Sequence, residues 1–188
     1  RLSDFKKLNS FLSLPAIIDK EDIKSIFPEK DKNRERIIIN PNQNPISNNN
    51  LPNGIEKLSN REIEANLGKI VKSTNIKNDI SVYLNQAFSA ELIALKVKRN
   101  FNQSLEIVIP SIEEKSISTR VLLLLEEGAK LDLLQIFTGN NNSAQNHLLE
   151  IKLESKVELT HGLISLGEEK ESSSICTLAV QQAENSKY

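Results

Sequence analysis

Residues 126–137 read EEGAKLDLLQIF, and residues 153–164 read LESKVELTHGLI. In both stretches a small residue and a lysine are followed by apolar residues that alternate with polar ones. Such alternation is typical of a β-strand with one buried face, because successive side chains point to opposite sides. It continues over residues 149–160, where an apolar set alternates with a charged or polar set: Leu149, Ile151, Leu153, Ser155, Val157 and Leu159 against Glu150, Lys152, Glu154, Lys156, Glu158 and Thr160.

The resemblance between the two stretches indicates an internal repeat. Aligning Ala129 with Ser155 matches Leu131 to Val157, at an offset of 26 residues (155 − 129). A period of about 20 to 50 residues is typical of solenoids, in which each repeat buries its apolar face by stacking on the next. We therefore predict a parallel β-helix with Leu131 directly over or under Val157, and with Ala129 and Ser155 at corners. An antiparallel β-sandwich remains the alternative, because it shows the same alternation.

The pattern divides the chain into two regions. Residues 1–90 predict a mostly helical region, with a helix at residues 1–12, one strand at 34–40 and an Asn/Pro-rich loop after it. Residues 91–188 contain only strand patterns, and we interpret them as the first turns of a truncated β-helix core.

Two amphipathic helices are predicted at the end of the first region. Ser59 and Glu62 have the spacing of a capping box, and Asp79 is placed to cap the second helix. Both apolar faces are expected to pack in the core: Ile63, Leu67, Ile70 and Val71 in the first helix, and Ile80, Tyr83, Leu84, Ala87 and Phe88 in the second.

Charge and composition argue against two classes of partner. The net charge is −1, whereas nucleic acids and anionic membranes attract a basic surface. No apolar run approaches the roughly 20 residues of a membrane-spanning helix. We therefore expect no nucleic-acid or membrane partner, and a location in the cytoplasm, or in the plastid stroma of a plastid-bearing organism.

The residues that could carry chemistry are few and well separated. His161 has the same parity as Leu159 and is expected to be a hydrogen-bonded structural histidine rather than a ligand or base. His147 is predicted to be a solvated loop residue, and Cys176 a buried, inert thiol. We assign no catalytic, cofactor-binding or metal-ligating residue, and we expect neither His161 nor Cys176 to bind metal.

Several segments, taken in order, resemble the SufB/SufD family of iron–sulphur cluster assembly proteins. They are RVLLLLEEGAKLDLLQIFTG, NHLLEIKLESKVELTHGLISL and VQQAENSKY in the strand region, and RLSDFKKL, RIIIN followed by PISNNNLPNGIEKLS, and DISVYLNQAF before it. The N-terminal segments favour the SufD branch over the SufB branch. One departure is that the family often has a histidine before the strand that reads SSSICTLAV here.

The resemblance implies a fold and a function. It implies a helical N-terminal region, a right-handed parallel β-helix core and a non-catalytic scaffold role in building iron–sulphur clusters. The implied partners are a SufB-like subunit and the SufC-like ATPase, with a homodimer also possible. The resemblance covers the N-terminal half of such a protein, so no cofactor is expected on this part, and the cluster belongs to the whole complex.

Two other functions fit a β-helix. A polysaccharide lyase or hydrolase would carry acidic or basic clusters and aromatic platforms on one face, and a generic interaction solenoid would carry none of these. We expect the strand SSICTLAV, residues 173–180, to form an exposed edge.

Overall fold

The computed structural model describes residues 29–39, 51–89, 91–111, 116–139, 143–166 and 172–188. The helix predicted at residues 1–12 and most of the Asn/Pro-rich loop lie outside these ranges. In chain order the described elements are β1 (Arg34–Ile38), β2 (Ile55–Lys57), α1 (Asn60–Asn66), α2 (Lys69–Lys72), a 3-10 helix (Asn75–Asn78), α3 (Ile80–Phe88), β3 (Glu91–Val97), β4 (Asn102–Ile109), β5 (Ser116–Leu125), β6 (Lys130–Thr138), β7 (Ala144–Leu153), β8 (Glu158–Leu166) and β9 (Ser173–Gln182).

The described part of the chain is mainly β and contains two sheets. Sheet A has the order β1-β4-β6-β8, and sheet B has the order β2-β3-β5-β7-β9. From β3 onward, successive strands lie alternately in sheet B and sheet A. Each strand from β5 to β9 pairs in parallel with the strand two places earlier in the chain, and β4 pairs in parallel with β1. Only the short β2 is antiparallel to its described neighbour, β3. An antiparallel sandwich would pair neighbouring strands antiparallel, whereas β3 to β9 pair in parallel within each sheet.

The predicted offset between repeats is wrong by two residues. Leu131 lies beside Leu159 rather than Val157, at an offset of 28 residues (159 − 131). The same offset relates β3 to β5, β4 to β6 and β5 to β7. The error arises because a slip of two residues leaves every side chain on its predicted face. The offset from β7 to β9 is one residue longer, since Ala144 pairs with Ser173.

The turns that lead into sheet A mark the repeat. Gly128 and Lys156 occupy equivalent places in successive repeats and have φ angles of 77° and 62°, and Asn185 takes the same role at 59°. A left-handed residue at this point lets the chain leave a sheet B strand and enter sheet A. Two residues after Asn185, Lys187 pairs in parallel with Glu158 of β8, so the chain there lies beside β8 in sheet A.

The core lies between the two sheets. Residues of the predicted parity point inward from both sheets, and most are almost completely buried. The largest cluster includes Leu95, Val97, Leu105, Ile107, Leu123, Leu125, Leu131, Leu133, Leu149, Ile151, Leu153, Val157 and Leu159. Burying so many branched apolar side chains is the main stabilising contribution to this fold.

The helices pack on the outer face of sheet B. The capping box at Ser59 and Glu62 is confirmed, and Lys96 Nζ lies 2.6 Å from the Glu62 carboxylate. The hydrogen bond from Lys96, followed by those from Ser59, lowers the pKa of Glu62 to about 2. The predicted first helix is interrupted at Gly68, whose φ of 74° separates α1 from α2. Ile70 and Val71 of α2 are buried against sheet B, as predicted.

The prediction of which α3 residues are buried is only partly correct. Asp79 caps α3, and Leu84 is buried, but Ile80 and Tyr83 are 55% and 50% exposed. The helix instead turns Asn85 toward sheet B, where its amide Nδ2 donates to the carbonyl oxygens of Thr119 at 2.9 Å and Asn146 at 2.8 Å. These two buried hydrogen bonds fix the rotation of α3 about its axis, because a buried amide nitrogen without an acceptor would cost free energy of folding.

A buried glutamate attaches α2 to sheet B. Glu150 of β7 is fully buried and accepts hydrogen bonds from the backbone N–H groups of Gly68 at 3.0 Å and Val71 at 3.3 Å. Its other partner is Arg120 of β5, with 2.9 Å between Nη2 and Oε1. The carboxylate therefore compensates both a largely buried guanidinium and the otherwise unpaired N–H donors at the start of α2.

We predict that Gly128→Ala lowers the free energy of unfolding by about 1 kcal/mol, because an alanine Cβ disfavours a left-handed φ. No other group lies within 4 Å of a Cβ built at Gly128, so backbone strain is the whole effect. Lys156→Ala is the matched control, since Lys156 already carries a Cβ at the same place in the next repeat. Urea unfolding of the two variants should differ by that amount, and equal losses would contradict the proposed role of this turn position.

We also predict that Glu150→Ala lowers the free energy of unfolding by about 3–5 kcal/mol, because it leaves the largely buried guanidinium of Arg120 without its partner and two backbone N–H groups without an acceptor. Glu154→Ala is the control. Glu154 also pairs with a cation, Lys152, at 2.8 Å, but the pair is exposed and is expected to contribute less than about 1 kcal/mol. A loss at Glu150 no larger than that at Glu154 would contradict the anchoring role.

Candidate functional site

One part of the core between the sheets is polar, and it is the best candidate for a functional site. It contains five side chains from strands of both sheets: Thr119, Gln135, Gln145, His147 and His161. Thr119 lies in the first half of β5, and Gln145 and His147 lie in the first half of β7, all in sheet B. Gln135 lies in β6 and His161 in β8, both in sheet A. They form two separate hydrogen-bonded units, each centred on a histidine.

The first unit is centred on His147, which is 3% exposed. Its Nδ1 lies 2.7 Å from Thr119 Oγ1, and its Nε2 lies 2.9 Å from Gln145 Oε1. Gln145 Nε2 in turn donates to the carbonyl oxygen of Thr138. The imidazole stacks on Phe137 of the facing sheet, with ring centroids 4.4 Å apart. Burial lowers the pKa of His147 to about 3, so the ring is neutral at pH 7.

The second unit is centred on His161 and reaches solvent. His161 Nε2 lies 2.9 Å from Gln135 Oε1, and Nδ1 lies 3.0 Å from the hydroxyl of Tyr188. Gln135 is 1% exposed, whereas Tyr188 is 50% exposed. Partial burial lowers the pKa of His161 as well. The expected hydrogen-bonded histidine is therefore present, and its parity matches that of Leu159.

The two units share one arrangement of donors and acceptors. In each, a glutamine Oε1 faces Nε2 and a hydroxyl faces Nδ1, so a neutral ring carries its proton on Nε2 and accepts at Nδ1. A hydroxyl, a base and a group that orients the base also occur together in nucleophilic sites. Thr119 and His147 are too deeply buried to meet a substrate, so that unit holds the two sheets together. In the second unit Tyr188 is half exposed, so the hydrogen bond between its hydroxyl and His161 lies near the protein surface.

The prediction for His147 is wrong, because the residue lies inside β7 rather than in a loop. A signal was available in the sequence. His147 has the odd parity of Leu149 and Ile151, and continuing the alternation backward through Gln145 would have placed it inside the core. The nearby Asn-rich segment obscured this pattern.

The prediction for Cys176 is also wrong with respect to burial. The residue is exposed, although it pairs in register with buried His147 and has inward parity. It is exposed because β9 is the outermost strand of sheet B in the described part of the chain. Contacts along part of its side chain raise the pKa of the thiol by desolvation, which keeps it protonated at neutral pH.

The outer face of sheet A has a shallow polar groove between the turn ends of β4, β6 and β8. Its charged groups pair with one another, and Lys130 lies 3.4 Å from Glu158. Arg34 of β1 reaches across β4 to Asp132, with 2.8 Å between the charged atoms. The groove is therefore locally balanced in charge and clamps the edge strand β1 to the sheet.

Metal-ligand clusters and membrane-spanning helices are both absent from the described ranges. No group of three or more His, Cys, Asp or Glu side chains there is arranged to hold a metal ion. No helix of the described part of the chain is long and apolar enough to cross a membrane.

We predict that both histidines are Nε2–H tautomers at neutral pH. The reason is that a glutamine carbonyl can only accept, which requires the proton on Nε2. Long-range ¹H–¹⁵N correlation spectra of the imidazoles distinguish the two tautomers directly. An Nδ1–H pattern for either ring would contradict the hydrogen-bond assignment of that unit.

We predict that acidification destabilises the protein through His147. Its pKa is about 3 in the folded protein, whereas the unfolded chain binds the proton with a pKa of about 6.5. Between these values the unfolded state holds more protons, so this residue lowers the free energy of unfolding by up to about 1.4 kcal/mol for each pH unit of acidification. His147→Gln keeps a donor and an acceptor but does not titrate, so its stability should fall less steeply between about pH 6 and pH 4.5.

His161→Gln is the control for that experiment, since His161 is only partly buried and should change the slope less. Glu62 and Asp79, whose pKa values are lowered by hydrogen bonds, lose their contribution to stability only as the pH falls below their ordinary pKa values of 4.5 and 3.8. Identical slopes for the wild-type protein and His147→Gln would contradict the assignment of a neutral buried ring.

Comparison with known proteins gives no identification: no protein-family model, curated protein or solved structure matches the chain. The family resemblance noted in the sequence therefore stays a prediction. Its support has to come from the fold and the residues of the chain itself.

Proposed function

We propose that the chain is the N-terminal part of a SufD-like scaffold subunit of an iron–sulphur cluster assembly complex. In this proposal the two sheets are the first turns of a right-handed parallel β-helix, preceded by a helical region. The subunit is not an enzyme. Iron–sulphur clusters are the product of the whole complex and not a cofactor of this region.

The observation that carries the proposal is the order of the elements. A compact helical unit, residues 60–88, is followed by repeats of nearly constant length in which one strand joins each sheet. The resemblance implies that order, a helical region followed by a solenoid core. The parallel pairing of every strand from β3 onward supports a solenoid over a sandwich.

The polar units of the core favour a structural role. The His147 unit is closed to solvent, and its hydrogen bonds are made within the core. The buried contacts of Glu150 and Asn85 fasten the helices to sheet B. Buried polar groups that bond to one another make a region rigid. A rigid region is what a scaffold that positions other subunits requires.

The proposed partners are a SufB-like subunit and a SufC-like ATPase, and a homodimer is a further possibility. The resemblance implies that SufB contacts the β-helix and that SufC contacts a C-terminal segment. Binding to the SufB-like subunit is therefore the interaction to which the β region described here would contribute.

The proposal can be tested in extracts of the source cells. Antibodies raised against the purified chain should precipitate SufB-like and SufC-like proteins in comparable amounts, measured by quantitative mass spectrometry. Adding an excess of the same purified chain should abolish the precipitation and serves as the control for specificity.

The outcomes separate the candidate functions. If the SufB-like and SufC-like proteins are present in the extract but absent from the precipitate, the scaffold proposal is wrong. Recovery of an unrelated protein in their place would instead indicate a generic interaction solenoid.

A further inference from the structure

We draw no further inference here: the strongest candidate, the free edge of β8 and β9 with the exposed side chains of Leu163, Ile164, Leu166 and Leu178, carries none because nothing in the structure shows what covers that apolar surface.

Discussion

The structure depends on a nearly constant register between successive repeats. Each strand from β5 to β8 pairs with the strand one repeat earlier at the same offset, and only β9 is shifted by one further residue. Inward side chains therefore stack on inward side chains throughout the core. A shift of a whole strand by one residue would turn Leu133 or Ile151 toward the outside and bring polar or charged residues into the core. The left-handed turn residues and the parallel hydrogen bonds together fix this register. The register in turn determines which side chains are buried in the apolar core.

The sequence was sufficient for some features and insufficient for others, for physical reasons. Alternation identified the inward faces, because parity is a local property of a strand. It could not distinguish the predicted offset from the observed one, since both preserve parity and the difference lies in the turn around Gly128. The helix caps at Ser59 and Asp79 were predictable because capping is also local.

The features that sequence reasoning missed depend on long-range contacts. The orientation of α3 follows from Asn85, whose partners lie in β5 and β7, and apolar periodicity alone favoured a face containing Ile80 and Tyr83. The parity of His147 indicated an inward position, but its contacts with the facing sheet, directly with Phe137 and through Gln145 with Thr138, could not be predicted from the sequence. Cys176 has the parity of a buried residue, but it lies on a strand at the edge of its sheet, and parity carries no information about edges.

The contacts of Asn85 and Glu150 cannot all form until β7 has been synthesised. The helices come first in the chain, yet their buried partners are Thr119, Asn146 and Glu150, which are synthesised later. At roughly 5–20 residues per second, a ribosome adds the residues between the end of α3 and Glu150 over several seconds. During that interval the apolar side of the helical unit lacks the part of sheet B that contains Leu148 and Ala179, so it stays partly uncovered until β7 and β9 have been synthesised.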